Sequence, residues 1–117
     1  MAEAAIRDGE EAAAPAIDRA HLARMTFGDE ALARELLTLF DRQAALILGR
    51  MRQADPATVA TLAHTLKGSA LGIGAGAVAD AAATVERAPG GEGMSALAGC
   101  VERARLAIAA MLAPGAD

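Results

Sequence analysis

The sequence predicts an all-α protein, an antiparallel up-down four-helix bundle preceded by one short additional helix. Composition is the first reason: 54% of the 117 residues are hydrophobic, yet Phe27 and Phe40 are the only aromatics, and alanine and leucine supply most of the rest. Those two residues are strong helix formers, whereas strands draw on β-branched and aromatic side chains. Patterning is the second, because apolar residues recur at three- and four-residue spacing and no alternating run is present. The third is punctuation, since turn residues cut the chain into four substantial amphipathic segments with short connections.

Residues 1–16 mix alanine with acidic residues and reach Pro15 without a sustained apolar stripe, so they are expected to be a flexible tail. The bundle domain is then 17–113, with a frayed end over 114–117. The short helix should run from about Asp18, its N-cap, to Met25, with Leu22 inward and a turn over Thr26 to Asp29. A long helix from Glu30 to Gln53 carries Leu32, Leu36, Phe40, Ile47 and Met51 as its expected core face. Asp55-Pro56 opens the third helix, an N-cap acid followed by proline where a missing N–H costs nothing, and this helix should reach about Leu71. Gly72, Gly74 and Gly76 end it. Although glycines can cradle phosphate, no strand precedes these, and a helix-ending turn explains them better. The fourth helix presents Val78, Ala82 and Val85 and stops at Ala88-Pro89-Gly90-Gly91. The fifth, from about Met94 to Leu112, places Leu97, Val101, Ala104, Ile108 and Met111 along a narrow seam.

A net charge of −4, from 15 acidic and 11 basic residues, comes without a basic block or aromatic ladder, which argues against nucleic acid. The acidic N-terminus lacks the basic and apolar regions of a secretory signal, and no apolar run approaches the roughly 20 residues that span a bilayer. A cytoplasmic location is expected. Cys100 stands alone, so it forms no intramolecular disulfide and no metal cluster. Its neighbours Gly99, Val101 and Glu102 offer nothing to activate a thiol, and it reads as a packing residue.

The third helix carries the chemistry. At about 100° per residue and with Val59 at zero, Leu62, Leu66, Ala70 and Ile73 fall within roughly 60° and define the core stripe. His64 falls near 140°, with Ala60 near 100°, Lys67 near 80°, Leu71 near 120° and Gly68 near 180° around it, so the imidazole should face solvent. A lone exposed histidine is usually just a surface residue, as His21 is expected to be. Here, however, Gly68 gives up about 1 kcal/mol of helix propensity relative to alanine in a chain that uses alanine almost everywhere. Its missing side chain clears room beside the ring for a bulky group and for another protein's backbone. Lys67 adds a cation one turn on, and Ala60, Thr61 and Leu71 offer a rim for a partner.

These residues read Ala63-His64-Thr65-Leu66-Lys67-Gly68-Ser69-Ala70, which closely resembles the His-x-x-Lys-Gly-Ser/Ala signature of histidine-containing phosphotransfer (HPt) domains. The order and approximate lengths of the helices match as well, and only the tail falls outside the resemblance. It implies a phosphocarrier in a two-component phosphorelay: Nε2 of His64 takes a phosphoryl group from a receiver-domain phosphoaspartate and yields it to another receiver. Lys67 would supply charge and Gly68 space. Glu86, just off the apolar stripe of the fourth helix, matches a family position that often hydrogen-bonds the histidine. It is either an orienter of the imidazole or a solvated flank residue.

No nucleotide-binding loop or carboxylate pair for Mg²⁺ is present, so a carrier is expected rather than a kinase or other enzyme. The protein is expected to need no cofactor of its own, with any Mg²⁺ held by the receiver. The partners implied are response-regulator receivers or a hybrid histidine kinase, met by a monomer. Two other readings remain: the phosphoacceptor domain of a chemotaxis-type histidine kinase, and an adaptor bundle that is never phosphorylated.

Overall fold

The structure, a computed structural model, describes residues 15–114, so the expected tail and frayed end lie largely outside the described residues. It contains five helices: α1 (Arg19–Met25), α2 (Glu30–Met51), α3 (Pro56–Ile73), α4 (Gly76–Arg87) and α5 (Gly93–Leu112), with no strand among the described residues. The all-α architecture expected from the sequence is therefore the observed one. Helices α2, α3, α4 and α5 pack one on the next in chain order, and α5 closes the ring against α2, while α1 lies across α2 and α3.

Local chemistry starts the first three helices. Asp18, Asp29 and Asp55 each sit in extended backbone and accept a hydrogen bond from the amide three residues on, satisfying a donor that has no partner within the helix. The aspartates differ in what they hold beyond their own helix. Asp18 also donates its N–H to the Gly74 carbonyl at 2.9 Å, which docks the start of α1 on the α3–α4 connection.

That connection has only Gly74 and Ala75 between the two helices, and Gly74 makes the reversal with φ 83°. A Cβ there would stand 2.8 Å from the Asp18 carbonyl oxygen, so both the backbone angle and the close approach require glycine. At the other end of α1 the same left-handed step falls on Phe27, with φ 55°. The Gly28 amide donates to Ala23 O at 2.9 Å and the Phe27 amide to Arg24 O at 3.3 Å, the two bonds of a Schellman ending. A residue with a Cβ pays roughly 1 kcal/mol for that conformation.

Inside the ring, Leu66, Val78, Val85, Leu97, Val101 and Ile108 are fully buried, and Ala44, Ala63, Ala70, Ala82 and Ala104 sit among them. Such small residues let the helices approach closely, which is how an alanine-rich chain fills its core without aromatics. Phe40 is the one buried aromatic.

The core face of α2 differs from the expected one. Leu32 is 36% exposed and Leu36 only partly buried, while Leu37, Phe40, Ala44, Ile47, Leu48 and Met51 face inward. Runs of adjacent leucines offer two stripes about 100° apart, and packing against α3 and α5 selects one of them. Leu62 and Met111 are half-buried, the latter because α5 ends beside an open cavity rather than against another helix. Helix α2 stops at Met51 instead of Gln53, and α3 continues to Ile73 instead of Leu71. Arg34 donates to the Met111 and Leu112 carbonyls at 3.4 and 2.7 Å, capping α5, and the Arg105–Asp41 pair at 2.7 Å joins α5 to α2.

Candidate functional site

His64 stands on the outer face of α3 with its side chain 68% exposed, in agreement with the wheel. Buried Ala63 and Leu66 on either side fix the rotation of the helix that presents it. The tight Gly74–Ala75 reversal sets α4 antiparallel to α3, and His64 and Glu86 lie at nearly equal chain distances from it, so packing brings them level.

The imidazole Nδ1 lies 2.9 Å from Glu86 Oε2. An ionised carboxylate only accepts hydrogen bonds, so Nδ1 carries the proton and donates, and the tautomer of the neutral ring that fits this contact is the one with Nε2 unprotonated. Lys67 Nζ is 3.3 Å from the other oxygen, Oε1, and Glu86 therefore bridges the two groups. Desolvation pushes the Glu86 carboxyl up. The hydrogen bonds from His64 and Lys67, together with the Lys67 charge, outweigh it and hold the group below its ordinary value. An ionised bridge at neutral pH follows.

Gly68 has nothing within 4 Å of the position its Cβ would take. No internal packing requires glycine there, so the helix propensity it gives up is not offset inside the molecule. Around this open ground the rim residues divide. Leu71 is 55% exposed; Thr61 is exposed, with its hydroxyl donating to Ala57 O at 3.3 Å; Ala60 is half-buried. His64, Lys67, Gly68 and Glu86 thus come together in one place, and Thr61 and Leu71 flank it along α3.

Three features escaped the sequence reading. Ser69 Oγ donates to Gln43 Oε1 at 3.0 Å and joins the exposed flank of α3 to α2, where Leu39 and Leu46, one turn to either side of Gln43, are both more than half exposed. The exposed side of the long helix was expected, with Leu71, to be a docking surface, but its sequence did not single out Leu39 and Leu46, which share a seven-residue spacing with Leu32. His21 is half-buried rather than a plain surface residue, and its Nε2–H donates to Leu71 O at 2.9 Å across 50 residues of chain, a contact no local pattern announces. Arg103 places a guanidinium nitrogen 3.4 Å from Cys100 Sγ, a cation one turn on from the thiol that the flanking residues did not reveal.

No helix among the described residues is long and apolar enough to cross a membrane, and those residues hold no cluster of three or more His, Cys, Asp or Glu side chains placed for a metal. Comparison with curated proteins and with solved structures gave no match. The Hpt domain family model matches residues 30–113, which spans α2 to α5 and the whole His64 site. The chain belongs to the Hpt domain family, the phosphocarrier modules that pass phosphoryl groups through histidine in phosphorelays.

Proposed function

We propose that His64 is the phosphoryl-carrying residue, that it receives the group from the phosphoaspartate of a receiver domain, and that it passes the group on to a second receiver. The observation that carries this reading is the state of the imidazole, exposed, with Nδ1–H tied to Glu86 and Nε2 left unprotonated.

In the forward step Nε2 attacks phosphorus, the N–P bond forms, and the P–O bond to the aspartate breaks, leaving the receiver's carboxylate. Nδ1 keeps its proton throughout. The phosphorylated ring therefore becomes cationic, and the Glu86 carboxylate stabilises that charge where it develops. On the return the bonding pair goes back to Nε2, and the phosphoryl group moves to the next aspartate. Phosphoryl transfer asks a protein chiefly for positioning and charge, and Lys67, paired to the same Glu86 carboxylate as the ring, is the cation one turn on that would meet the added negative charge. Gly68 leaves the space into which the group and the receiver backbone enter. Any divalent cation the step uses belongs to the receiver.

Hpt domains engage receivers and histidine kinases. For this chain the docking ground is the α3 face bearing Ala60, Thr61 and Leu71, extended across the Ser69–Gln43 bond by Leu39 and Leu46 of α2. A relay must release each partner after transfer, so the contact should be of the small, transient class. The test is incubation of the chain and its His64→Gln variant with phosphorylated receivers, and separately with histidine kinase and ATP. Acid-labile label from receivers on the wild type alone supports the relay. Label from the kinase alone, or partner function that survives His64→Gln, overturns it.

A further inference from the structure

Phe27 is a second feature that the interior of the molecule does not explain. It occupies the left-handed position that ends α1, where glycine is the unstrained residue, and its side chain is 93% exposed. A strained backbone holding a large aromatic ring in water is the arrangement expected when the ring is used elsewhere. The turn is also rigid. Thr26 is buried, its hydroxyl donates to Leu22 O at 2.9 Å, and the Asp29 amide donates back to Thr26 O at 2.9 Å. Little conformational freedom of the backbone remains to be lost when such a ring is bound.

Immediately beside it lies a cavity of about 540 Å³ between α1, the start of α2 and the end of α5. Thr26 and Gly28, the neighbours of Phe27, line this cavity, but Phe27 does not, so the ring points away from the hole its own turn helps to form. The walls include Leu22, Leu37 and Met111. The rim carries Arg19 and Arg34 against Asp29 and Glu30, a local balance of charge in a chain whose net charge is −4. A copy approaching here meets matched signs rather than the repulsion of two acidic molecules.

We propose that two copies of the chain associate about a two-fold axis at this end of the bundle, with Phe27 of each inserted into the cavity of the other. A knob and a hole adjacent on one surface are self-complementary under two-fold symmetry, and each contact is then made twice. One aromatic anchor per copy, with half-exposed Met25 next to it, makes a weak dimer that forms at high concentration, in contrast to the monomer expected from the sequence. The surface is separate from the His64 face, and the proposal stands apart from the relay reading.

Sedimentation of the full chain over a wide concentration range tests it, alongside Phe27→Gly, which removes the knob at a position that favours glycine, and Ala110→Leu, which fills the hole from α5 while adding apolar surface. The wild type should dimerise, and each substitution should weaken the dimer at least ~30-fold, the loss of one hot-spot residue. His64 labelling by a phosphorylated receiver should stay unchanged in both variants. A chain that is monomeric throughout overturns the proposal, and so does a dimer that Ala110→Leu leaves intact, which would show generic apolar association. Labelling that falls with Phe27→Gly in a monomeric chain would give the surface to the receiver instead.

Discussion

Gly68 and Gly74 belong to the same stretch of chain, one on the outer face of α3 and the other closing its end, yet their surroundings are opposite. At Gly74 a Cβ would press on the Asp18 carbonyl at 2.8 Å and the backbone is left-handed, so the molecule itself accounts for the glycine. At Gly68 the backbone is ordinary helix and the space beside it is empty. Gly49 and Gly72 are equally open, so what distinguishes Gly68 is its place one turn from the exposed His64, and it is this pairing that the proposed relay uses. The end of α3 is built for folding, and on the reading proposed above its middle, where Gly68 lies one turn from His64, is where a partner approaches.

Alanine substitution at each glycine is the sharpest way to break that contrast. Gly74→Ala should destabilise the fold by about 2–4 kcal/mol, because it combines a forced left-handed angle with a backbone clash that would push α1 off the connection. Gly68→Ala should do the reverse and raise stability by up to about 1 kcal/mol through helix propensity, while slowing phosphoryl transfer. Thermal unfolding and a transfer assay on both variants check the pair. A destabilised Gly68→Ala, or one that transfers at the wild-type rate, would remove the case that this glycine faces a partner.

A smaller effect is expected at Glu86. Glu86→Gln keeps an acceptor for Nδ1–H but loses the charge that balances the phosphorylated ring, and transfer should slow about ten-fold without a change in fold. An unchanged rate would return Glu86 to a solvated flank residue. The weakest effect is the acid response of the same group. Its folded value lies below the ordinary one, so the bridge contributes fully above the ordinary glutamate range and is lost as the pH falls through the lowered value. A carboxyl NMR titration should place the Glu86 midpoint below that of an unpaired glutamate, with the His64 ring signals responding at the same pH. A midpoint at or above the ordinary value would contradict the bridge.

The same contrast bears on what the sequence could reveal. Helix order, the Asp18 and Asp55 N-caps and the outward face of His64 were legible because each depends on residues within a turn or two of one another, whereas Asp29 was read only as the end of a turn. The rotation of α2 was not, since adjacent leucines such as Leu36 and Leu37 support two stripes and only contact with α3 and α5 decides between them. Glu86 lay between these cases. Its place beside the apolar stripe of α4 was clear, but whether it meets His64 depends on how two helices turn against each other. The His21–Leu71 contact and the Ser69–Gln43 bond join segments far apart in sequence and carry no local signature.

The central claim is that the imidazole is held by Nδ1 and reacts through Nε2. Phosphorylation of the chain by a receiver phosphoaspartate, followed by ³¹P and ¹⁵N NMR of the product, tests it most directly. The account predicts a single phosphohistidine, at His64, bonded through Nε2, with Nδ1 still protonated. A phosphoryl group on Nδ1, or on any residue other than His64, would contradict it.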